Sequence, residues 1–173
     1  MKKQQWSKLK KHLESFLCES LQGRVQFHII NYRKAHDQLG RACITVDKRE
    51  AFNMCTLKAT VELYYKEIEI KERLHETGEI MSNLEIQKNA YDLIHKDGFF
   101  AQYEFFKEVE EYFQLPIESA LQSNNTIIKV LTLLDRRVGK RTLQKLRDTI
   151  KNETEIVQYF YKIRLEAETM KKG

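Results

Sequence analysis

A chain of 173 residues that is 42% hydrophobic and 10% aromatic, with one proline and six glycines, has the composition of a folded protein rather than a disordered one. Its length fits one compact domain, or two small ones sharing a core, and buries roughly 70% of the surface exposed when unfolded, enough to fold without metals or disulfides. The net charge of +5 hides three segments: Met1–Val61 carries 12 basic and 5 acidic residues, Glu62–Glu118 carries 6 and 14, and Ser119–Gly173 carries 12 and 6. Such segregation either closes on itself within the fold or leaves separate surface fields for partners.

The first predicted element is a helix over Gln5–Gln22, because Trp6, Leu9, Leu13, Phe16, Leu17 and Leu21 recur at steps of three and four. Gly23 stands where a left-handed cap would end it. The period then falls to two. Val25, Phe27 and Ile29 in Arg24–Arg33, and Ala42, Ile44 and Val46 in Arg41–Asp47, predict two antiparallel strands joined through Ala35–Gly40, and Glu50–Cys55 predicts a third. From Thr56 onward the chain reads as helix. Leu57, Val61, Tyr64, Tyr65 and Ile68 share a stripe within Thr56–His75, and Glu76–Ser82, with Gly78, is the junction between halves. Ser82-Asn83-Leu84-Glu85 matches a capping box opening a helix to Lys96, with Leu84, Ala90, Leu93 and Ile94 inward.

Phe99–Phe113 follows, with Phe99, Tyr103, Phe106, Val109 and Phe113 inward, and Pro116 restarts a helix for Ile117–Gln122. Ile127–Val138 is apolar on nearly every face, as befits a central element, and Gly139 breaks it. Helices over Arg141–Ile150 and Glu155–Glu168 complete the set. The predicted fold is α+β and mainly α: an N-terminal helix and a small antiparallel sheet of two or three strands, then a bundle of about six helices. It is divided as 1–78 and 79–173 around a shared core. Disorder is expected only at Met1–Gln4 and Met170–Gly173.

Cys18, Cys43 and Cys55 are odd in number and form no CxxC pair, which points to free thiols in a reducing compartment. Met1–Lys11 lacks the apolar core of a signal peptide, and Ile127–Leu134 is far short of a membrane span of about 20 residues. The cytoplasm is the expected location.

Several runs carry a resemblance. They are Trp6-Ser7-Lys8-Leu9-Lys10-Lys11, Leu21-Gln22-Gly23-Arg24-Val25, and Tyr32-Arg33-Lys34-Ala35-His36-Asp37 with Gly40-Arg41 and Ile44-Thr45-Val46-Asp47. A distal run, Leu134-Asp135-Arg136-Arg137-Val138-Gly139-Lys140-Arg141-Thr142-Leu143, belongs with them, and Phe160-Tyr161 and Arg164 lie beyond it. Together they resemble an uncharacterised family of short bacterial proteins found in enterobacteria and Gram-positive species. The resemblance covers most of the chain, densest at both ends. It implies a bacterial, cytosolic protein and brings no activity with it.

Four groups of residues bear on function. Between Lys129 and Lys151 lie 8 basic and 2 acidic residues, and Arg136, Arg137, Lys140, Arg141 and Lys145, with Lys8, Lys10 and Lys11 on the first helix, form the candidate binding surface. Arginine forks match phosphate oxygens. A helix-turn-helix fails because Asp135 occupies a position wanting a small residue and Lys145 one wanting an apolar contact. A phosphate loop fails at Leu134 and Arg141. The plain alternative is a solvated face, with arginines bonded to helix-end carbonyls or to Glu104, Glu108, Glu110 or Glu111. His36-Asp37 with Gly40, Arg41 and His28 offers metal or acid–base chemistry, yet turn formation explains Asp37 and Gly40. The cysteines lack a paired histidine. Phe100, Phe105, Tyr112 and Tyr161 lie off the main stripes; core packing is the plain reading for them, and the alternative is an exposed aromatic patch beside acidic neighbours, which would favour a protein partner over nucleic acid.

The expected function is therefore that of a non-enzymatic protein that binds another protein or a second copy of itself. The alternative is nucleic-acid binding through the basic first helix and the 136–147 cluster. No catalytic, cofactor-binding or metal-ligating residue is expected, nor a membrane partner.

Overall fold

The computed structural model describes residues 5–170, with the His36 side chain left aside; the remaining termini expected to be disordered, Met1–Gln4 and Lys171–Gly173, lie outside the described residues. It is an α+β fold dominated by helix. Helix α1 (Trp6–Phe16) precedes strands β1 (Val25–Ile30), β2 (Arg41–Val46) and β3 (Arg49–Cys55). Helices α2 (Thr56–Thr77), α3 (Asn83–Lys96), α4 (Gln102–Gln114), α5 (Ile117–Leu121), α6 (Thr126–Leu134), α7 (Lys140–Leu146) and α8 (Glu155–Met170) follow.

The strands form one antiparallel sheet in the order β1-β2-β3, with Phe27 opposite Ile44 and Ile44 opposite Phe52. Alternation puts Val25, Phe27, Ala42, Ile44, Val46, Phe52 and Met54 on the core side. The β2–β3 turn places Asp47 and Lys48 at φ 48° and 67°, the handedness that a two-residue hairpin requires. Arg24 holds that turn with two hydrogen bonds to Asp47 at 2.9 and 2.8 Å.

Helix α1 is shorter than its periodicity predicts. The chain leaves helical geometry at Leu17 (φ −57°, ψ 138°) because Leu17 pairs with Asp135 as an isolated antiparallel bridge. Cys18 N–H donates to the Leu134 carbonyl at 3.0 Å, and Arg136 N–H donates to the Phe16 carbonyl at 2.7 Å. The same bridge ends α6 at Leu134 rather than Val138. Leu21 is nonetheless buried, within a short 3-10 turn.

Two cores exist. The main one runs from Leu9 and Leu13 through the inner sheet face to Phe105, Val109, Tyr112, all of the apolar α6, Phe160 and Ala167. α6 packs against α4, α5 and α8 and is buried on nearly every face, as its composition requires. The second core is small: Ile70, Leu74, Ile86 and Ala90, with Leu63 and Met81, hold α2 and α3 together as a helical hairpin. Gly78, at φ 72°, closes α2, its N–H donating to the Leu74 carbonyl. Ser82 and Glu85 form the expected capping box at the start of α3, with Ser82 N–H to Glu85 Oε2 at 2.8 Å and Glu85 N–H to Ser82 Oγ at 3.3 Å.

The inward faces of α3 and α4 differ from the sequence expectation. On α3, Ile86, Ala90 and Ile94 are buried, while Leu84 and Leu93 are exposed. On α4, Phe105, Val109 and Tyr112 are buried and Tyr103 is exposed. Phe100, Phe105, Tyr112 and Tyr161 are at most 6% exposed, so they pack in the core, as the plain reading has it, and form no exposed patch. On α4 the reason is α1, which covers a second side: Trp6 packs edge-on against Phe105 and Phe106, and Phe16 against Tyr112, while Phe100 packs edge-on against Phe52 and Tyr161 bonds the Leu143 carbonyl.

Candidate functional site

Asp135 ends α6 and begins the turn that carries the basic cluster. Its carboxylate is fully enclosed, yet it is completely bonded. Tyr112 on α4 donates its hydroxyl to Oδ2. Arg137 donates its backbone N–H to Oδ1 at 2.7 Å and its Nη2 to Oδ2 at 2.7 Å. The Arg137 guanidinium lies 4.5 Å over the Phe16 ring, so the pair is roofed by an aromatic face. Burial and the Asp135 carboxylate push the Tyr112 phenol well above its ordinary pKa, and the Asp135 bond pushes Arg137 up likewise.

Beneath this turn lies Arg164 of α8, 2% exposed. It donates to the carbonyls of Leu133 (3.4 Å), Asp135 (3.0 Å) and Val138 (2.7 Å), and Nη2 reaches Glu168 Oε1 at 2.8 Å. The last turn of a helix leaves its carbonyls without intrahelical donors, and here a single guanidinium satisfies those around the α6 terminus. Tyr161 adds a hydrogen bond from its hydroxyl to the Leu143 carbonyl at 2.8 Å.

The predicted basic surface thus divides. Arg137 is folded back onto Asp135, and Lys129 is engaged by Glu153 at 2.6 and 2.7 Å. Arg136, Lys140, Arg141 and Lys145 are exposed, and none makes an ion pair among the described residues. Within α7, Leu143 points into the core and the basic side chains project from the rest of its circumference. On α1, Lys8 and Lys11 are exposed, and Lys10 lies 3.6 Å from Glu14. Glu104 bonds Ala101 N–H and sits 2.6 Å from His95, while Glu108 meets Lys107, so neither is paired with the cluster.

The remaining candidates are engaged locally. Asp37 adopts φ 49° in a 3-10 turn. A side chain at Gly40 would collide with Gln102, which donates to the Arg41 carbonyl at 3.1 Å. Arg41 bonds Tyr32 and Glu50, and His28 meets Thr45 at 3.1 Å, its pKa lowered chiefly by burial. Among the described residues Cys18, Cys43 and Cys55 form no disulfide and are buried, and burial raises the Cys43 thiol. Among the described residues no three His, Cys, Asp or Glu side chains are grouped to hold a metal ion. A groove of about 730 Å³ between the α3–α4 turn and the start of α8 is lined by Lys96, Asp97, Glu153, Glu155 and Tyr159 and holds no histidine or cysteine.

On α2 the stripe read from the sequence is not the face that is buried. Ala59, Ile70 and Leu74 are buried on one side of this helix. The opposite side carries Leu57, Val61, Tyr64, Tyr65 and Ile68, and Val61, Tyr64 and Tyr65 are 42%, 62% and 61% exposed. The hairpin tip adds Ile80 at 97% and Leu84 at 76%. The signal was present in the sequence, because α2 has two apolar stripes and a single neighbouring helix uses only one.

Residues 5–165 match the SF0329 protein family. No curated protein and no solved structure matches the chain.

Proposed function

The chain belongs to the SF0329 protein family, and we propose that it is a non-enzymatic interaction protein that docks another protein through the outward face of α2. The observation that carries this reading is the stripe Leu57, Val61, Tyr64, Tyr65 and Ile68, apolar yet turned away from both cores. Exposed apolar side chains gathered on one helix face mark interaction surfaces, and tyrosine is favoured in them because it contributes large area at little entropic cost. The non-enzymatic reading draws on how the reactive groups are employed: Asp135, Arg137 and Arg164 bond one turn, and the cysteines are buried. A bacterial, cytosolic setting is part of the proposal, supported by the family resemblance and by three cysteines not joined in disulfides among the described residues. No helix among the described residues is long and apolar enough to cross a membrane.

The test pairs light scattering with pull-downs from lysate at low salt, using the wild-type chain and a Tyr64→Ser/Tyr65→Ser variant. Both side chains are exposed, so the thermal midpoint should move by no more than about 1–2 °C. Protein retained by the wild-type chain should drop at least about tenfold with the variant. A strict monomer that retains nothing, or retention indifferent to the substitution, overturns the reading.

One observation favours nucleic acid as a second reading: Arg136, Lys140, Arg141 and Lys145 project without ion-pair partners among the described residues, with Lys8, Lys10 and Lys11 on α1 as further contacts. Replacing those four distal residues by alanine, with Arg137 left in place to hold the turn, should abolish a mobility shift seen at about 50 mM salt. No shift with the wild-type chain disposes of this reading.

A further inference from the structure

We propose that the free edge of β3 takes up an extended, uncharged peptide segment of a partner protein as a fourth strand; this site is separate from the α2 face and does not depend on it. The sheet order β1-β2-β3 leaves β3 at one end. β1, at the other end, packs against α1. Thr56 N–H donates to the Gly40 carbonyl at 3.2 Å, which fixes the residues of β3 that face β2. With Met54 opposite Ala42 and Phe52 opposite Ile44, alternation points the backbone groups of Met54 and Phe52 toward β2 and turns the Asn53 N–H and C=O outward. Neither outward group has a backbone hydrogen-bond partner among the described residues. A strand edge of this kind is a template for another strand.

The edge is recessed. A cleft of about 250 Å³ separates Ala51, Asn53 and Cys55 from Gly98, Phe99 and Ile156. It shares Ala51, Gly98 and Ile156 with the groove of about 730 Å³ at the start of α8. Together they offer the room of a ligand site, which runs to roughly 300–1,000 Å³. Asn53 supplies a second sign: its side-chain carbonyl oxygen is buried without a donor. An N–H brought along this edge meets that need once the side chain turns toward it.

Shape and charge select the occupant. A second copy carries its own β3 edge at the bottom of the same cleft, and two recessed edges cannot meet. A single extended segment can enter, and at about 3.3 Å per residue about five residues match Ala51 to Cys55. The charges of the lining cancel. Lys58 and Lys96 stand against Asp97 and Glu155, with Lys66 3.9 Å from Asp97, and Lys129 already holds Glu153. At the head of the strand, Arg49 stands beside Glu50, which bonds Arg41. Neither sign is favoured, whereas Phe99 and Ile156 offer apolar contact, so the segment is uncharged with β-branched side chains at alternate positions.

The probe is a fluorescein-labelled peptide of alternating valine and threonine, made unmodified, N-methylated at every amide, and N-methylated at alternate amides in either phase. Binding to the full chain is read by anisotropy and by hydrogen exchange at the Asn53 amide, up to about 1 mM peptide. The unmodified peptide should slow Asn53 exchange at least about tenfold, while Phe52 and Met54, already facing β2, change little. One open edge needs amides on one side of the peptide only. At least one alternately methylated form should therefore bind within about threefold of the unmodified one, and the fully methylated form should not bind. Asn53→Pro deletes the outward N–H without removing a bond to β2 and should weaken binding at least about tenfold. Tyr64→Ser/Tyr65→Ser should leave binding unchanged. No binding by the unmodified peptide, equal binding by the fully methylated one, failure of both alternate forms, or unaltered exchange at Asn53 overturns the proposal. So does loss of binding in the tyrosine variant, which would put the peptide on α2. A wild-type dimer that Asn53→Pro dissolves would make the occupant a second copy and overturns it too. If Asn53→Pro unfolds the chain, the methylated peptides decide alone.

Discussion

Asp135→Ala should destabilise the fold by about 3–5 kcal/mol. The carboxylate is 1% exposed and receives the Tyr112 hydroxyl, the Arg137 backbone N–H and the Arg137 guanidinium. Truncation leaves a buried phenol and a backbone N–H without an acceptor, and releases an arginine held over Phe16. It also loosens the strand-like pairing of residues 134–136 with 16–18, which docks α1. Against the 5–15 kcal/mol of an ordinary domain this is a large fraction. Chemical denaturation of the single variants and of Asp135→Ala/Tyr112→Phe checks it: the double variant should be less destabilised than the sum, by about 1–2 kcal/mol. Additive costs would show that Tyr112 and Asp135 do not act together. A pH profile adds a second readout. The Tyr112 pKa is raised in the folded state, so its contribution is complete below about pH 10 and drains as the pH climbs through the folded value. Tyr112→Phe should remove that part of the alkaline loss; an unchanged profile would exclude it.

Arg164→Leu should cost a similar 3–5 kcal/mol and lower the thermal midpoint by about 10 °C. The guanidinium spans the carbonyls of Leu133, Asp135 and Val138, and no apolar side chain can replace those donors. Loss of the positive charge also strands Glu168, only 18% exposed at its side chain. Arg164→Lys restores charge without the fork and should recover less than half of the loss. Adding Glu168→Leu to Arg164→Leu should recover part of it by removing the stranded carboxylate. If scanning calorimetry finds Arg164→Leu within 2 °C of wild type, the helix-end bonding described here does not stabilise the fold.

Both residues lie in the runs that carry the family resemblance, and both were legible as sequence but not as chemistry. Asp135 reads as a poor fit to a DNA-binding turn, and Arg136 and Arg137 read as neighbouring bases on one surface. In space, Arg137 folds back onto Asp135, and Arg136 projects outward. Asp135 finds Tyr112 from 23 residues away, and Arg164 reaches Asp135 from 29, separations that no local spacing encodes.

The helices, the hairpin, the third strand and the capping box follow from periodicity and end signals because each depends on residues within one or two turns of each other. Ser82 and Glu85 find one another at any tertiary placement of α3, and Val25 and Phe27 alternate whatever lies beneath the sheet. Which face of an element becomes interior is a different kind of question. α4 has apolar residues around most of its circumference, and only the arrival of α1 makes Phe105 and Tyr112 interior. α2 bears two apolar stripes, and only its pairing with α3 leaves Tyr64 and Tyr65 facing water. Likewise, the bridge between residue 17 and residue 135 ends two helices whose own patterns would continue. Burial is a property of neighbours brought together from distant parts of the chain, so the candidate surface on α2 emerges only once the whole chain has packed.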